Sequence, residues 1–188
     1  MQKFVVLLVL GVLSSLPSTA QVLEVFGGYQ YLHIGTVTAN GQSLPGSSQG
    51  FNGWNAAAAA KLGKFFGVEG DFAGGYTTVS GVAVRTYTYT GGPIISTNAG
   101  PIRPFVHGLF GGVRLNESQS GVSASWNGLT AMVGGGLDVK VKSHVAVRLA
   151  QVDWLYFHFG SQTIAGTPVP SLSGHNNVRV STGIVLRL

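Results

Sequence analysis

The chain has 188 residues, no cysteine and a formal net charge of +5, and only 9% of its residues are charged. Ordinary soluble domains carry roughly 25% charged residues, so this chain has too few charges to cover a surface that faces water. A hydrophobic fraction of 45% excludes a disordered chain, and the absence of cysteine excludes disulfides and thiolate metal sites.

The first twenty residues have the pattern of a secretory signal peptide. Lys3 precedes an apolar run at 4–13, and Ser-Thr-Ala at 18–20 forms a small-x-small cleavage site. The apolar run is too short for a transmembrane helix, which needs about 20 residues. We therefore predict a cleaved signal peptide over 1–20, with an uncleaved membrane anchor as the alternative, and a single exported domain over 21–188.

The first three segments after the leader alternate with a period of two, which is typical of β-strands. Segment 23–31 places Leu, Val, Gly and two Tyr on one face, and Glu, Phe, Gly and Gln on the other. Segment 54–62 contains an alanine run that favours a helix by propensity, yet its neighbours fit a hairpin and we assign it to a strand. Segment 68–76 turns Val, Phe and Tyr to one face and two acidic residues to the other.

The next two strands are less regular. In segment 86–93, two tyrosines and three threonines occupy opposite faces, and Gly-Gly-Pro at 91–93 predicts a bulge or a bend because proline donates no ladder hydrogen bond. Segment 101–114 is extended, but its residues do not assign its two faces.

The last three strands return to clear alternation. Segment 129–140 does so throughout, whereas segment 145–156 changes phase near Ala150, which predicts a β-bulge. Segment 178–188 has one apolar face and is about 11 residues long, the length that a tilted membrane strand requires.

The connections and the composition together predict the fold class. We expect long links at 33–50, 116–124 and 160–174, an intermediate link at 77–83, and short ones near 63–64, 96–100 and 142–143. Long links at one end and short links at the other are typical of outer-membrane barrels. No stretch after the leader reaches the roughly 18 apolar residues of a membrane helix. The sequence predicts an all-β protein, an eight-stranded antiparallel up-and-down transmembrane β-barrel.

Two sets of side chains follow from this assignment. Aromatic residues near the outer strand ends predict a girdle at the membrane surface, with ordinary strand aromatics as the alternative; the set is Tyr29, Tyr31, Trp54, Tyr76, Tyr87, Trp126, Trp154 and Tyr156. Charged residues on the inward faces predict a paired network that fills the lumen; the set is Glu24, Lys61, Glu69, Asp71, Asp138, Lys140, Arg148, Asp153, Arg179 and Arg187. We expect Arg148 to pair with Glu69, Asp71 or Asp153.

The leader, the VFGGYQY, GVEGDFAGGY and RPFVHGLFGGV segments and the two-faced last strand resemble the OmpA/OmpX-like eight-stranded outer-membrane barrels. The resemblance covers essentially the whole mature chain. It implies export to the outer membrane of a diderm bacterium and insertion by the barrel-assembly machinery. Family members commonly end in an aromatic residue that this machinery reads, whereas this chain ends in leucine; we expect Ile184, Leu186 and Leu188 to serve as the assembly signal. No peptidoglycan-anchoring role is expected.

Few residues suggest catalysis or cofactor binding. His158 lies near Ser161 and His144 follows Ser143, but nothing in the sequence places an acid beside either pair. We therefore expect no enzymatic activity, no cofactor and no metal. The basic residues are scattered singly, which disfavours nucleic acid as a partner. The expected partners are outer-membrane lipid and the barrel-assembly machinery, and the expected state is a monomer.

The sequence thus predicts an integral outer-membrane scaffold that is exposed at the cell surface. Its polar extracellular loops at 33–50 and 160–174 would serve adhesion or other surface contacts, because loops on rigid scaffolds often carry function. Three alternatives stay open: a narrow gated conduit, a soluble lipocalin-like barrel with an apolar ligand, and a small lipid-modifying enzyme.

Overall fold

The computed structural model describes residues 23–39, 42–44, 47–79, 81–97, 100–119, 122–164, 167–169 and 171–188. The predicted signal peptide lies outside the described residues. Within the described ranges, no helix combines the length and the apolar character needed to span a membrane. The strands are β1 (Leu23–Ile34), β2 (Val37–Ala39), β3 (Gln42–Ser43), β4 (Gln49–Lys61), β5 (Phe66–Val79), β6 (Val82–Ser96), β7 (Ile102–Gln119), β8 (Val122–Lys142), β9 (Val145–Phe159), β10 (Gln162–Ile164), β11 (Thr167–Val169) and β12 (Leu172–Arg187).

Eight long strands close into a barrel. Each of β1, β4, β5, β6, β7, β8, β9 and β12 pairs antiparallel with the next in that order, and β1 also pairs with β12. Backbone hydrogen bonds between Leu23 and Leu188 complete the closure where the first and last strands meet. The predicted eight-stranded antiparallel barrel is therefore confirmed.

The two ends of the barrel differ. The inner end holds the two ends of the barrel ladder, Leu23 and Leu188, and the connections from β4 to β5, from β6 to β7 and from β8 to β9. The outer end carries two short hairpins: β2–β3, which extends the sheet through β12, and β10–β11.

Each barrel strand turns alternate side chains to the outside and to the lumen because successive residues point to opposite faces. In β12, Val178, Val180 and Ile184 are exposed on the outside, whereas Arg179 and Ser181 are buried inside. The same alternation assigns β7, whose faces the sequence left open. The outer surface is thus largely apolar and the lumen holds the charges, an arrangement that would be unfavourable in water.

The sequence predicted irregularities near Ala150 and at 91–93, and the structure differs between these two places. In the β8–β9 ladder, Leu137 pairs with Ala150 and Asp138 pairs with Arg148, so Leu149 is an extra residue and the predicted bulge is confirmed. At 91–93, β6 keeps a continuous register with β5. Its pairing with β7 has a two-residue gap, and the register is the same on both sides of that gap. No bulge forms there, but the ladder with β7 is interrupted at Gly92 and Pro93, as expected for a proline that donates no ladder hydrogen bond.

The intermediate link expected at 77–83 and the long link expected at 116–124 consist mainly of strand residues. Strands β5 and β6 are joined through Gly81, whose φ of 83° allows a tight turn. Residues 116–119 stay paired in β7, and β8 resumes at Val122. Polar residues can continue a strand because backbone pairing, not side-chain polarity, decides where the strand ends.

Candidate functional site

The centre of the lumen is occupied by Arg179, whose side chain is fully buried. Its guanidinium donates hydrogen bonds to both carboxylate oxygens of Asp71, at 2.8 and 3.2 Å, and to Asp153 at 2.7 Å. Because these residues come from β12, β5 and β9, the cluster links three strands across the barrel. A planar guanidinium suits this role because its fork of donors matches carboxylate geometry.

His107 continues the network from β7. Its Nδ1 lies 3.2 Å from Glu69 and its Nε2 lies 2.9 Å from Asp153. Both ring nitrogens therefore face carboxyl oxygens, an arrangement that favours two N–H donors and hence the charged imidazolium. The two acids lie on opposite edges of the ring, and no group of three metal-ligating side chains converges within the described part of the chain.

A second cluster lies around Arg148. It donates to Asp138 at 2.8 Å and to Gln151 at 2.6 Å, and its guanidinium lies 4.4 Å from the ring centre of Phe26 and 4.2 Å from that of Phe105. The expected pairing of Arg148 with Glu69, Asp71 or Asp153 is wrong. Asp138 stands directly opposite Arg148 in the β8–β9 register, so the pair forms between neighbouring strands.

The bulge joins the two clusters. Because Leu149 and Ala150 both face outward, Arg148 and Gln151 both face the lumen. Gln151 accepts from Arg148 and donates to Asp153 at 2.8 Å. A third group, at the inner end, pairs Glu24 with Arg103 and with Arg187, whose guanidinium is 3.4 Å away.

The predicted lumen residues divide into three groups. Glu24, Glu69, Asp71, Asp138, Arg148, Asp153 and Arg179 are buried in the lumen. Lys61 and Arg187 are half-buried at the inner end. Lys140 is exposed, contrary to expectation, because it lies beyond Asp138 at the inner rim, where its long side chain reaches water.

Sequence reasoning missed two members, Arg103 and His107. They are four residues apart on β7 and so share a face, which was the available signal. Phe105 and Leu109 share that face, so the inward side looked as apolar as the outward side.

The charges of this network balance. Its carboxylates are Glu24, Glu69, Asp71, Asp138 and Asp153, and its cations are Arg103, His107, Arg148, Arg179 and Arg187. The chain has six acidic residues in all, so Glu117 is the single one outside the network. Pairing of this kind offsets the desolvation cost of buried charge.

Solved structures with the same architecture are outer-membrane barrels. Neisserial surface protein A superposes with a TM-score of 0.64 at 13% identity, covering 87% of this chain and 96% of that one. Ail, the attachment invasion locus protein of Yersinia pestis, gives 0.56 at 16% identity, covering 89% and 98%. OprG from Pseudomonas aeruginosa gives 0.56 at 13% identity, covering 90% and 97%.

The chain has the fold of the eight-stranded outer-membrane barrels. No family model matches it, and no curated protein matches its sequence. At these identities the likeness establishes the architecture. The role of this outer-membrane-type barrel has to be inferred from its own residues.

The outward aromatic residues of this outer-membrane-type barrel form contacts near its outer end. Trp54 donates to the Tyr76 hydroxyl at 3.1 Å, and Tyr76 packs edge-on against Tyr87 with ring centres 6.2 Å apart. Tyr29, Tyr31 and Trp154 are exposed, and Tyr156 is half-buried on the outer face.

Trp126 departs from the predicted girdle. It shares its face of β8 with the buried Thr130 and Met132, and it lines a cavity inside the barrel. The alternation of β8 places even-numbered residues from Trp126 to Asp138 on the inward face, so the position of Trp126 near the strand end did not reveal its face.

The outer half of the lumen is apolar. A cluster of buried side chains fills it above the charged network: Leu32, Phe51, Val84, Leu109, Val113, Met132, Leu155 and Phe157. Above this cluster lie two adjoining cavities of about 160 and 510 Å³, which open toward the outer end and which we call the outer chamber. Ile34, Val37, Leu115, Glu117 and Leu172 line both cavities.

The two serine–histidine pairs noted in the sequence have different surroundings. Ser143 and His144 contact each other at 2.9 Å in an exposed turn. His158 contacts Ser173 at 3.0 Å rather than Ser161. Among the described residues, no carboxylate is hydrogen-bonded to either histidine, so neither pair has the orienting acid of a catalytic triad.

Proposed function

We propose that this protein is a sealed scaffold of the outer membrane, which holds polar hairpins at the cell surface and does not conduct solutes. The apolar outer face supports a lipid environment, since tyrosine, tryptophan and aliphatic residues cover the barrel wall. The fold shared with outer-membrane barrels supports the same compartment.

The main support for the proposal is a series of linked ion pairs that crosses the lumen. They run from Asp71 on β5 to Arg179 on β12, then to Asp153 on β9, His107 on β7 and back to Glu69 on β5. This series of ion pairs begins and ends on β5 and spans the barrel interior. An eight-stranded barrel is just wide enough for its own side chains, so a solute would have to break paired buried charges to pass.

Bilayer conductance tests the sealed state. The purified barrel, inserted into a planar phosphatidylcholine bilayer, should give no current steps above the background of the lipid. A matched variant with His107→Ala and Arg179→Ala removes two cations from this series of ion pairs. Current steps from the variant would show that an inserted barrel can be detected. Regular steps from the unmodified protein would contradict the proposal and favour the gated conduit.

Surface contact is the second candidate function. Hairpin β2–β3 is tied to the barrel because Thr38 donates to the backbone of Ser173 and β2 pairs with β12. Its exposed residues Gln42 and Ser43 are polar and uncharged, which suits hydrogen bonding to another surface. We propose adhesion through this hairpin; Ail, an attachment invasion locus protein, has the same fold.

Deleting residues 36–48 tests the adhesive role. Cells carrying the deleted barrel should bind host or abiotic surfaces less than cells carrying equal amounts of the intact protein. Equal binding by both strains would remove this hairpin from consideration as an adhesive element.

A further inference from the structure

The outer chamber has the size and lining of a small-molecule site. Its larger cavity, about 510 Å³, falls within the range of roughly 300–1,000 Å³ that is usual for ligand pockets. Phe51, Val84 and Phe157 form apolar parts of its wall and floor. The apolar cluster beneath separates it from the charged network, so a molecule inside would contact mainly hydrocarbon.

Two polar atoms in the chamber wall lack a partner. The Trp126 indole N–H and the Thr86 hydroxyl are buried from solvent, and neither forms a hydrogen bond with any described residue. Both residues line the smaller cavity. A buried donor without a partner is unfavourable, so an acceptor oxygen that reaches these donors would be stabilised.

The charge at the chamber restricts the ligand further. Glu117 lines both cavities and is the single acidic residue outside the lumen network. No described basic side chain forms an ion pair with it. A carboxylate there repels anionic molecules, so an ionised fatty acid is disfavoured although its chain would suit the walls.

We propose that the outer chamber binds a neutral apolar molecule that carries one hydrogen-bond acceptor, such as an aliphatic ketone or ester. The acyl or alkyl part occupies the apolar walls, and the carbonyl oxygen accepts from Trp126 and Thr86. This binding site goes beyond the sealed scaffold. The binding site depends on the residues of the chamber wall. Conduction through the barrel below would neither require this site nor prevent binding to it.

Fluorescence of Trp126 measures the binding directly. The chain has three tryptophans, and Trp54 and Trp154 both face outward, so Trp54→Phe with Trp154→Phe leaves Trp126 as the single emitter. This protein, in phosphatidylcholine nanodiscs, is titrated with decan-2-one, with decane and with decanoate. Decan-2-one should change the Trp126 emission saturably at one molecule per barrel, and it should bind more tightly than decane or decanoate.

Three variants separate the parts of the proposal. Thr86→Val keeps the side-chain shape but removes the hydroxyl, and it should weaken decan-2-one roughly 3- to 10-fold while leaving decane unchanged. Glu117→Gln should tighten decanoate selectively. Val113→Phe fills the chamber and should abolish saturable binding, with Val84→Phe as a second filling variant in case the first does not fold.

Each result decides a part of the proposal. An emission change that rises linearly with probe, as partition into lipid does, would overturn the binding site. Saturable binding that survives in a folded filling variant would also overturn it. Equal affinity of Thr86→Val for decan-2-one would overturn the assigned hydrogen bond, and unchanged decanoate affinity in Glu117→Gln would overturn the charge selection.

Discussion

Replacing Arg179 with methionine tests whether the lumen charges act as one unit. Methionine fills similar space but removes three hydrogen bonds, of 2.7, 2.8 and 3.2 Å, to two buried carboxylates. Among the described residues, Asp71 then keeps only the Asn55 amide at 2.7 Å, whereas Asp153 keeps His107 and Gln151. Leaving buried charge unpaired in this way costs about 3–5 kcal/mol, so we expect a loss of that size.

The assay is reversible urea unfolding of the barrel in lipid vesicles, followed by tryptophan fluorescence. The matched control is Arg179→Met combined with Asp71→Asn, which removes one cation and one anion together. This double variant should recover at least about 1 kcal/mol relative to the sum of the single losses, because groups in one network are energetically coupled. A single-variant loss below about 1 kcal/mol, or strictly additive losses, would refute the coupled network.

Three further perturbations probe other parts of the barrel. Arg148→Ala leaves its carboxylate partner buried and unpaired, so urea unfolding should show a loss of about 3 kcal/mol, and unchanged stability would speak against the second cluster. Gly134→Ala would place a methyl group 2.1 Å from an Asp153 carboxylate oxygen and should destabilise the barrel by about 1–3 kcal/mol, whereas Gly63→Ala, with open space around it, should not; equal effects would contradict the packing. Leu188→Phe should raise the fraction of folded barrel in growing cells, as seen on unboiled gels, and no increase would argue against a terminal assembly signal.

The alternation of single strands could be predicted from the sequence wherever one face is polar. In β5, Glu69 and Asp71 mark the inward side and Phe72 and Tyr76 mark the outward side, as the structure has them. Strand β7 gave no such contrast. Its outward Val106 and Phe110 are apolar, and so are several of its inward residues, Phe105, Leu109 and Val113. Alternation reports a face only when the two environments differ.

The partners within the lumen required the register between strands. Arg148 pairs with Asp138 because the β8–β9 register sets them opposite each other, and the bulge at Leu149 fixes that register. A single sequence places both residues on inward faces but does not align one strand with the next. The outer chamber was also beyond the sequence, because its wall combines residues from many strands.

We propose that the apolar outer face of this barrel lies in the lipid of an outer membrane. Gel mobility of the native protein, taken from separated outer-membrane and periplasmic fractions with and without boiling, tests it most directly. We expect the protein in the outer-membrane fraction, with an unboiled band that resists detergent and changes mobility after boiling, because the closed strand ladder must be broken by heat. A periplasmic protein whose mobility is the same before and after boiling would contradict the account.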